Sequence, residues 1–274
     1  VCVITFKTKM NVINQAVLNA INQTLDYAIA SNKPLVIGSP YSDYFSAGAD
    51  LKQFATAYLL GGQWSLGKTI DQFQTTLSRL KYAPIPVVAA VKGYVFGGGC
   101  ELMMHCDRAV AALESYIGLV EVGVGLLPGA GGCKEMTLRA SQSEFPEKMM
   151  QKYYKNIAMA EVAKSAHQAK EMGYLRPDDI VLFNPSELLH VAKKQALLLS
   201  DSNYRPPQKP KIKALGIQAA ANIKMFLANL VAGGYASEHD YLISTKIAAV
   251  MTGGDVDIAN RIPPINLSGC CKHR

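Results

Sequence analysis

Charge is scarce in this chain: Asp, Glu, Lys and Arg supply 18% of its 274 residues. A surface so poor in charge is expected to be partly covered, by other subunits or by another domain. Long apolar runs are missing too, and without 18 consecutive apolar residues no membrane span is expected. Val1–Phe6 has neither the basic start nor the cleavage site of a secretory leader, which points to a soluble, cytoplasmic protein. No C-x-x-C spacing occurs among Cys2, Cys100, Cys106, Cys133, Cys270 and Cys271, and a domain of this length needs no disulfide staples. Reduced thiols and no metal are expected. No G-x-G-x-x-G follows a strand, which argues against NAD chemistry from these residues. The first residue is Val rather than an initiator Met, and this points to a chain cut from a longer product.

Hydrophobic residues reach 49%, enough for a sizeable core and too many for a disordered chain. The formal net charge of +7 suits a polyphosphate ligand, a nucleic acid or an acidic membrane surface, and charge alone does not choose among them.

Val1–Lys7 alternates in strand fashion, Asn14–Ala30 has helical spacing closed by Ser31 and Asn32, and Pro34–Gly38 is a short apolar strand. Tyr41–Asp50 is a turn of small residues, and helical character resumes over Leu51–Leu60 until Gly61 and Gly62. A second round follows: a helix over Ile70–Tyr82 stopped by Pro84 and Pro86, a strand over Val87–Val91, then Gly97-Gly98-Gly99 opening a helix over Glu101–Cys106. Asp107–Ala112 and Ser115–Leu119 are further strands. This alternation predicts an α/β fold with a mostly parallel sheet, ligands being approached at the strand ends. Ser143–Ser202 is helical, broken at Gly173 and at Pro177-Asp178-Asp179. The Pro- and Lys-rich run Tyr204–Lys213 reads as a linker, Ala214–Ala232 and His239–Met251 as helices, and Pro263–Arg274 as an irregular tail. The expected division is a core at 1–203, a linker at 204–213 and a C-terminal helical segment at 214–274.

Three segments carry chemistry. In Phe45-Ser46-Ala47-Gly48-Ala49-Asp50-Leu51, small residues leave room for a ligand against the backbone and Asp50 is a suitable helix N-cap. An ordinary tight turn has the same composition. In Gly97-Gly98-Gly99-Cys100-Glu101, the glycines permit close backbone approach and the helix start offers unpaired N–H groups; Glu101 either uses that opening or merely complements the helix dipole. In Ile117–Gly132, Glu121 is the one charge of an apolar and glycyl stretch, and a carboxylate is costly to bury unless it is hydrogen-bonded, protonated or used. His105 is read as a packing residue.

Taken together and in this order, FSAGADL, YVFGGGCELMMHCD and IGLVEVGVGLLPGAGG resemble the crotonase (enoyl-CoA hydratase and isomerase) family, over roughly residues 1–140. The resemblance implies a crotonase (ClpP-like) fold of repeated ββα units with a C-terminal helical region. It implies an oxyanion hole made by the backbone N–H groups of Ala47 and Gly98, and a catalytic pair, Glu101 and Glu121. Ser46, Ala49, Asp50, Leu51, Gly97 and Gly129 would hold coenzyme A, with Lys52, Lys209, Lys211 and Lys213 as candidates for its phosphates. Coenzyme A would be part of the substrate, so no separate cofactor is expected.

Retention of both glutamates favours hydration of a trans-2-enoyl-CoA in fatty-acid β-oxidation, a lyase reaction. Adding water across C2=C3 needs a base toward the attacking water and an acid toward C2. The alternatives are another acyl-CoA reaction, such as double-bond isomerisation, and a non-catalytic module binding RNA or a partner domain. The stretch Ala158–Phe183 resembles the hydratase part of bacterial fused 3-hydroxyacyl-CoA dehydrogenases. The implied partners are an acyl-CoA thioester and either identical subunits in a trimer or pair of trimers, or a dehydrogenase domain of a longer chain. The terminal INLSGCCKHR, with Cys270, Cys271 and His273, matches nothing in the family and is too compact for a typical zinc site.

Overall fold

The computed structural model describes residues 1–210, 212–213, 216–234, 236–254 and 261–262. The expected irregular tail, with Cys270, Cys271 and His273, lies outside the described residues, as does Lys211. Contacts group the chain into two compact units, one of Val1–Gly118 with Ala163–Gln208, the other of Leu119–Val162 with Lys209–Arg274. These bounds differ from the expected division at 1–203, 204–213 and 214–274, because the helices after residue 208 pack on those between 119 and 162.

The first unit is built on a parallel sheet ordered β1 (Cys2–Ile4), β2 (Leu35–Ile37), β3 (Val87–Val91), β5 (Arg108–Ala112) and β7 (Ile180–Leu182). A parallel strand covered on both faces reads as a continuous apolar run, and β3, Val-Val-Ala-Ala-Val, is buried at every position. Gly38, just after β2, has no room for a side chain: a β-carbon there would lie 2.5 Å from the Ala90 carbonyl oxygen. A shorter parallel pair, β4 (Tyr94–Phe96) with β6 (Tyr116–Gly118), stands apart from the main sheet.

Helix α1 (Gln15–Ala30) is capped by the Asn14 side chain, which accepts from the Val17 N–H. It buries Leu18, Ile21, Leu25 and Ala28, the helical spacing that the sequence shows. Helix α2 (Leu51–Lys81) is interrupted where the glycines predicted a stop, with non-helical backbone at Gly61 and Gly62. Helix α3 (Gly98–Met104) begins earlier than the predicted Glu101 and is buried throughout. One face of the sheet, Val36, Val88, Ala90 and Val110, packs against Leu188, Ala192 and Ala196, which recur every fourth residue on α7 (Leu188–Asp201).

The second unit is helical, with α4 (Gly132–Ser141), α5 (Pro146–Ala158), α8 (Gly216–Ala232) and α9 (Glu238–Thr252). Buried contacts join them: the Tyr154 hydroxyl of α5 donates to the Ser244 carbonyl of α9 at 3.1 Å. Ser237 and Asp240 form a reciprocal cap at the start of α9. Helix α6 (Ala166–Glu171) belongs to the first unit.

The expected linker is only partly one. Its Tyr204 hydroxyl donates to Asp107 at 2.8 Å in the first unit, and its end, Ile212–Lys213 (β8), pairs antiparallel with Arg261–Ile262 (β9).

Candidate active site

Within the first unit, the Phe45–Leu51 segment is strung between two others. Ser46 bridges to Val95 of β4, donating its N–H to the Tyr94 carbonyl at 3.0 Å and accepting from the Phe96 N–H at 3.0 Å. On the other side, Ile13 donates to the Gly48 carbonyl at 2.8 Å and accepts from the Asp50 N–H at 3.0 Å. The Ser46 hydroxyl donates to the Asn11 carbonyl at 2.8 Å and accepts from the Gly48 N–H at 3.1 Å. Asp50 caps α2 as expected, its carboxylate accepting from the Lys52 and Gln53 N–H groups.

These bonds decide which backbone donors remain open. Ala47, expected to supply one, donates its N–H to the Met10 carbonyl at 3.1 Å and is therefore committed. Ala49 lies between Gly48 and Asp50, which make the bonds to Ile13, so its own N–H points the other way, and no described residue accepts from it or from the N–H of Gly98. The two groups are neighbours: a β-carbon on Gly98 would sit 3.2 Å from the Ala49 nitrogen, and one on Gly48 would sit 3.4 Å from the Gly98 nitrogen. Gly98 is the first residue of α3, so its N–H is one of the orphans that every helix start leaves. Gly48 has φ +104°, and a side chain there would press on the Phe96 carbonyl, which explains the glycine at this position.

Glu101 stands in the first turn of α3 and is 2% exposed. Gly97, the N-cap, ties the turn to the second sheet by donating to the Gly118 carbonyl at 3.0 Å. His105 is buried one turn on, with Nδ1 2.7 Å from the Glu101 carbonyl oxygen, in agreement with a packing role. Ser46, Ala49, Asp50, Leu51, Gly97, Gly98 and Glu101 are thus gathered in one unit, with Lys52 exposed at the first turn of α2.

Glu121 and Gly129 belong to the second unit. Glu121 opens a 3-10 turn, Glu121–Val124, whose closing residue Gly125 has φ +76°. That turn is held by α9, the His239 ring nitrogen lying 3.2 Å from the Gly125 carbonyl oxygen. Both Glu121 carboxylate oxygens are shielded from solvent. Gly129 precedes α4, whose N-cap Gly131 has φ +122°.

Sequence reasoning missed β4, and it missed Met10 and Asn11, both in left-handed backbone at φ +53° and +52°. The Asn11 amide donates to the Ser42 hydroxyl and to the Tyr44 and Phe45 carbonyls, which sets the register of the whole segment. An Asn just before a helix was the available signal. Among the described residues, no group of three or more His, Cys, Asp or Glu could hold a metal, and no helix is long and apolar enough to cross a membrane.

Comparison with known proteins gives the family to which this sheet-and-helix core belongs. The family model described as enoyl-CoA hydratase/isomerase matches residues 1–172, and the chain belongs to that family. A probable 3-hydroxyacyl-CoA dehydrogenase of Bacillus subtilis (strain 168) is 36% identical over 96% of this chain, which spans 33% of that protein's length. A 2,3-dehydroadipyl-CoA hydratase of Escherichia coli (strain K12) is 30% identical over 68% of each chain. In fold, the chain is similar to an enoyl-CoA hydratase from Polaromonas sp. JS666, with TM-score 0.61 at 19% identity over 90% of this chain and 86% of that one. These neighbours bear out the crotonase fold expected from the sequence.

Proposed function

We infer that the chain hydrates trans-2-enoyl-CoA thioesters. The observation that carries this reading is the pair of open N–H groups at Ala49 and Gly98 beside Glu101 in the first turn of the same helix. The first donor is thereby assigned to Ala49 in place of Ala47. The thioester oxygen accepts from both donors, so the negative charge that develops as C2 gains electron density is met by fixed dipoles. Glu101 and Glu121 act on one water: one carboxylate takes a proton as the oxygen bonds to C3, and the other carboxyl gives a proton to C2. The C2=C3 bond is consumed, and the elements of one water are added.

Two carboxyl groups sharing a water titrate as a coupled pair, so the pH profile of turnover belongs to the pair. Ser46, Asp50, Leu51, Gly97 and Gly129 are the proposed contacts of coenzyme A, with Lys52 and Lys209 toward its phosphates. Coenzyme A enters as part of the substrate.

Relatives supply the wider setting of this reading. A Rickettsia felis relative, 39% identical over 48% of this chain, is described as a putative fatty acid oxidation complex trifunctional enzyme. Fatty-acid β-oxidation in the cytoplasm is the proposed context, and a dehydrogenase domain or identical subunits are the proposed cover for the charge-poor surface.

The test is loss of the conjugated-thioester absorbance on adding the protein. Glu101→Gln and Glu121→Gln should each slow it at least about 100-fold, the lower end of what a positioned acid or base contributes. Turnover unchanged in either variant rejects this mechanism.

A further inference from the structure

Glu121 is carried on the short 3-10 turn Glu121–Val124, which two backbone bonds close. The Gly125 N–H donates to the Val122 carbonyl at 3.0 Å, and the Leu126 N–H donates to the Glu121 carbonyl at 3.0 Å. The Leu126 N–H shares one planar trans peptide with the Gly125 carbonyl, which therefore points to the opposite side. That carbonyl oxygen lies 3.2 Å from His239 Nε2 in the first turn of α9. A carbonyl oxygen only accepts, so His239 donates, and a continuous chain of hydrogen bonds runs from the imidazole through one peptide to the backbone of Glu121. Gly125 makes the close approach possible: its φ is +76°, and a β-carbon on it would lie 3.3 Å from His239 Nε2.

The helix that carries His239 is a fixed support. Ser237 and Asp240 close its first turn, and Ile243, Ile247, Val250 and Met251 are buried along it. Further along, the Ser244 carbonyl accepts from the Tyr154 hydroxyl of α5, and the Met251 carbonyl accepts from the Thr137 hydroxyl of α4 at 3.4 Å. Helix α9 lies beyond residues 1–172, so this support is outside the segment that matches the family model. We propose that His239 is a positioning residue for hydration, a role that rests on the hydratase reading above: it orients Glu121 through the Gly125–Leu126 peptide. Without its bond that peptide is free to rotate, and the Glu121 carboxyl shifts with the turn. A displacement of about 1 Å costs up to roughly 100-fold in rate.

The test measures kcat and KM for hydration by the intact chain, together with hydrogen exchange over residues 121–126. His239 is exposed, so alanine there leaves the core and the helix cap in place. His239→Ala should lower kcat about ten-fold, leave KM within about two-fold and speed exchange over 121–126. His239→Gln, whose amide donates in place of Nε2, should recover most of the lost kcat. In the Glu121→Gln background, His239→Ala should slow turnover no further, because a residue acting only through Glu121 has nothing left to orient. Parent kcat or parent exchange in His239→Ala, with Glu121→Gln slow, overturns the proposal and leaves the hydratase reading standing. So does a double variant that loses both factors in full. Turnover unchanged in Glu121→Gln overturns the hydratase reading and this role with it.

Discussion

Two adjacent glycines in α3 make opposite predictions. A methyl group on Gly98 would lie 3.0 Å from the Phe73 ring and 3.2 Å from the Ala49 nitrogen, in the space the proposed donors share. Gly98→Ala should therefore fold but turn over about 100-fold more slowly, as loss of an oxyanion donor does, with kcat and circular dichroism as the paired readouts. A methyl group on Gly99 would meet the Ser46 Cβ at 2.7 Å, inside a bonded and buried contact. Gly99→Ala should cost about 1–3 kcal/mol of stability, read from the denaturant midpoint. The glycine run and Glu101 were legible in the sequence because small residues and a helix-start acid advertise themselves. The shift from Ala47 to Ala49 was not. It depends on Met10 and Asn11, whose left-handed backbone brings a carbonyl from more than thirty residues away onto the Ala47 N–H.

At the scale of elements, the end of the sheet is fastened through Asp107. Its carboxylate accepts from the Val87 N–H at 2.8 Å and from the Tyr204 hydroxyl at 2.8 Å, while Arg176 donates to the carbonyls of Asp107, Met104 and Cys106. Burial pushes the Asp107 carboxyl up from 3.8 to about 6, and the bonds from Val87 and Tyr204 and the charges of Arg176 and Lys81 pull it only part of the way back. The folded chain thus holds this proton more tightly than the unfolded chain does. The resulting stabilisation is complete below about pH 4 and is lost as pH rises through about 6, a change on the order of 3 kcal/mol. Asp107→Asn cannot titrate, so its stability should vary less between pH 4 and 7 than that of the parent chain, as measured by denaturant midpoints across that range. A flat parent profile would contradict this. The regular elements here were readable from periodicity, with β3 and α1 close to their predicted bounds. Asp107 and Tyr204 were not paired in advance because a proline- and lysine-rich run reads as a solvated linker until its one aromatic residue is seen to dock.

For the whole molecule, the chain spans 33% of the Bacillus subtilis relative's length, and its sequence has no glycine fingerprint for a dinucleotide. Supplied with an enoyl-CoA and NAD, it should stop at the 3-hydroxyacyl-CoA, and steady NADH formation would contradict that. The grouping of residues 119–162 with the helices after residue 208 could not be read from the sequence. Helical spacing identifies an apolar face but does not say which distant helix covers it. The central claim is that two glutamates add one water to a conjugated thioester. It is tested most directly by running the reaction in deuterium oxide and locating the label by mass spectrometry. The account predicts a product that has gained the elements of one water, with deuterium retained on C2 and, once the oxygen-bound deuterium has exchanged in ordinary water, a hydroxyl group on C3, formed at a severely reduced rate by Glu101→Gln and by Glu121→Gln. A product that has gained no water and carries only a shifted double bond would contradict it.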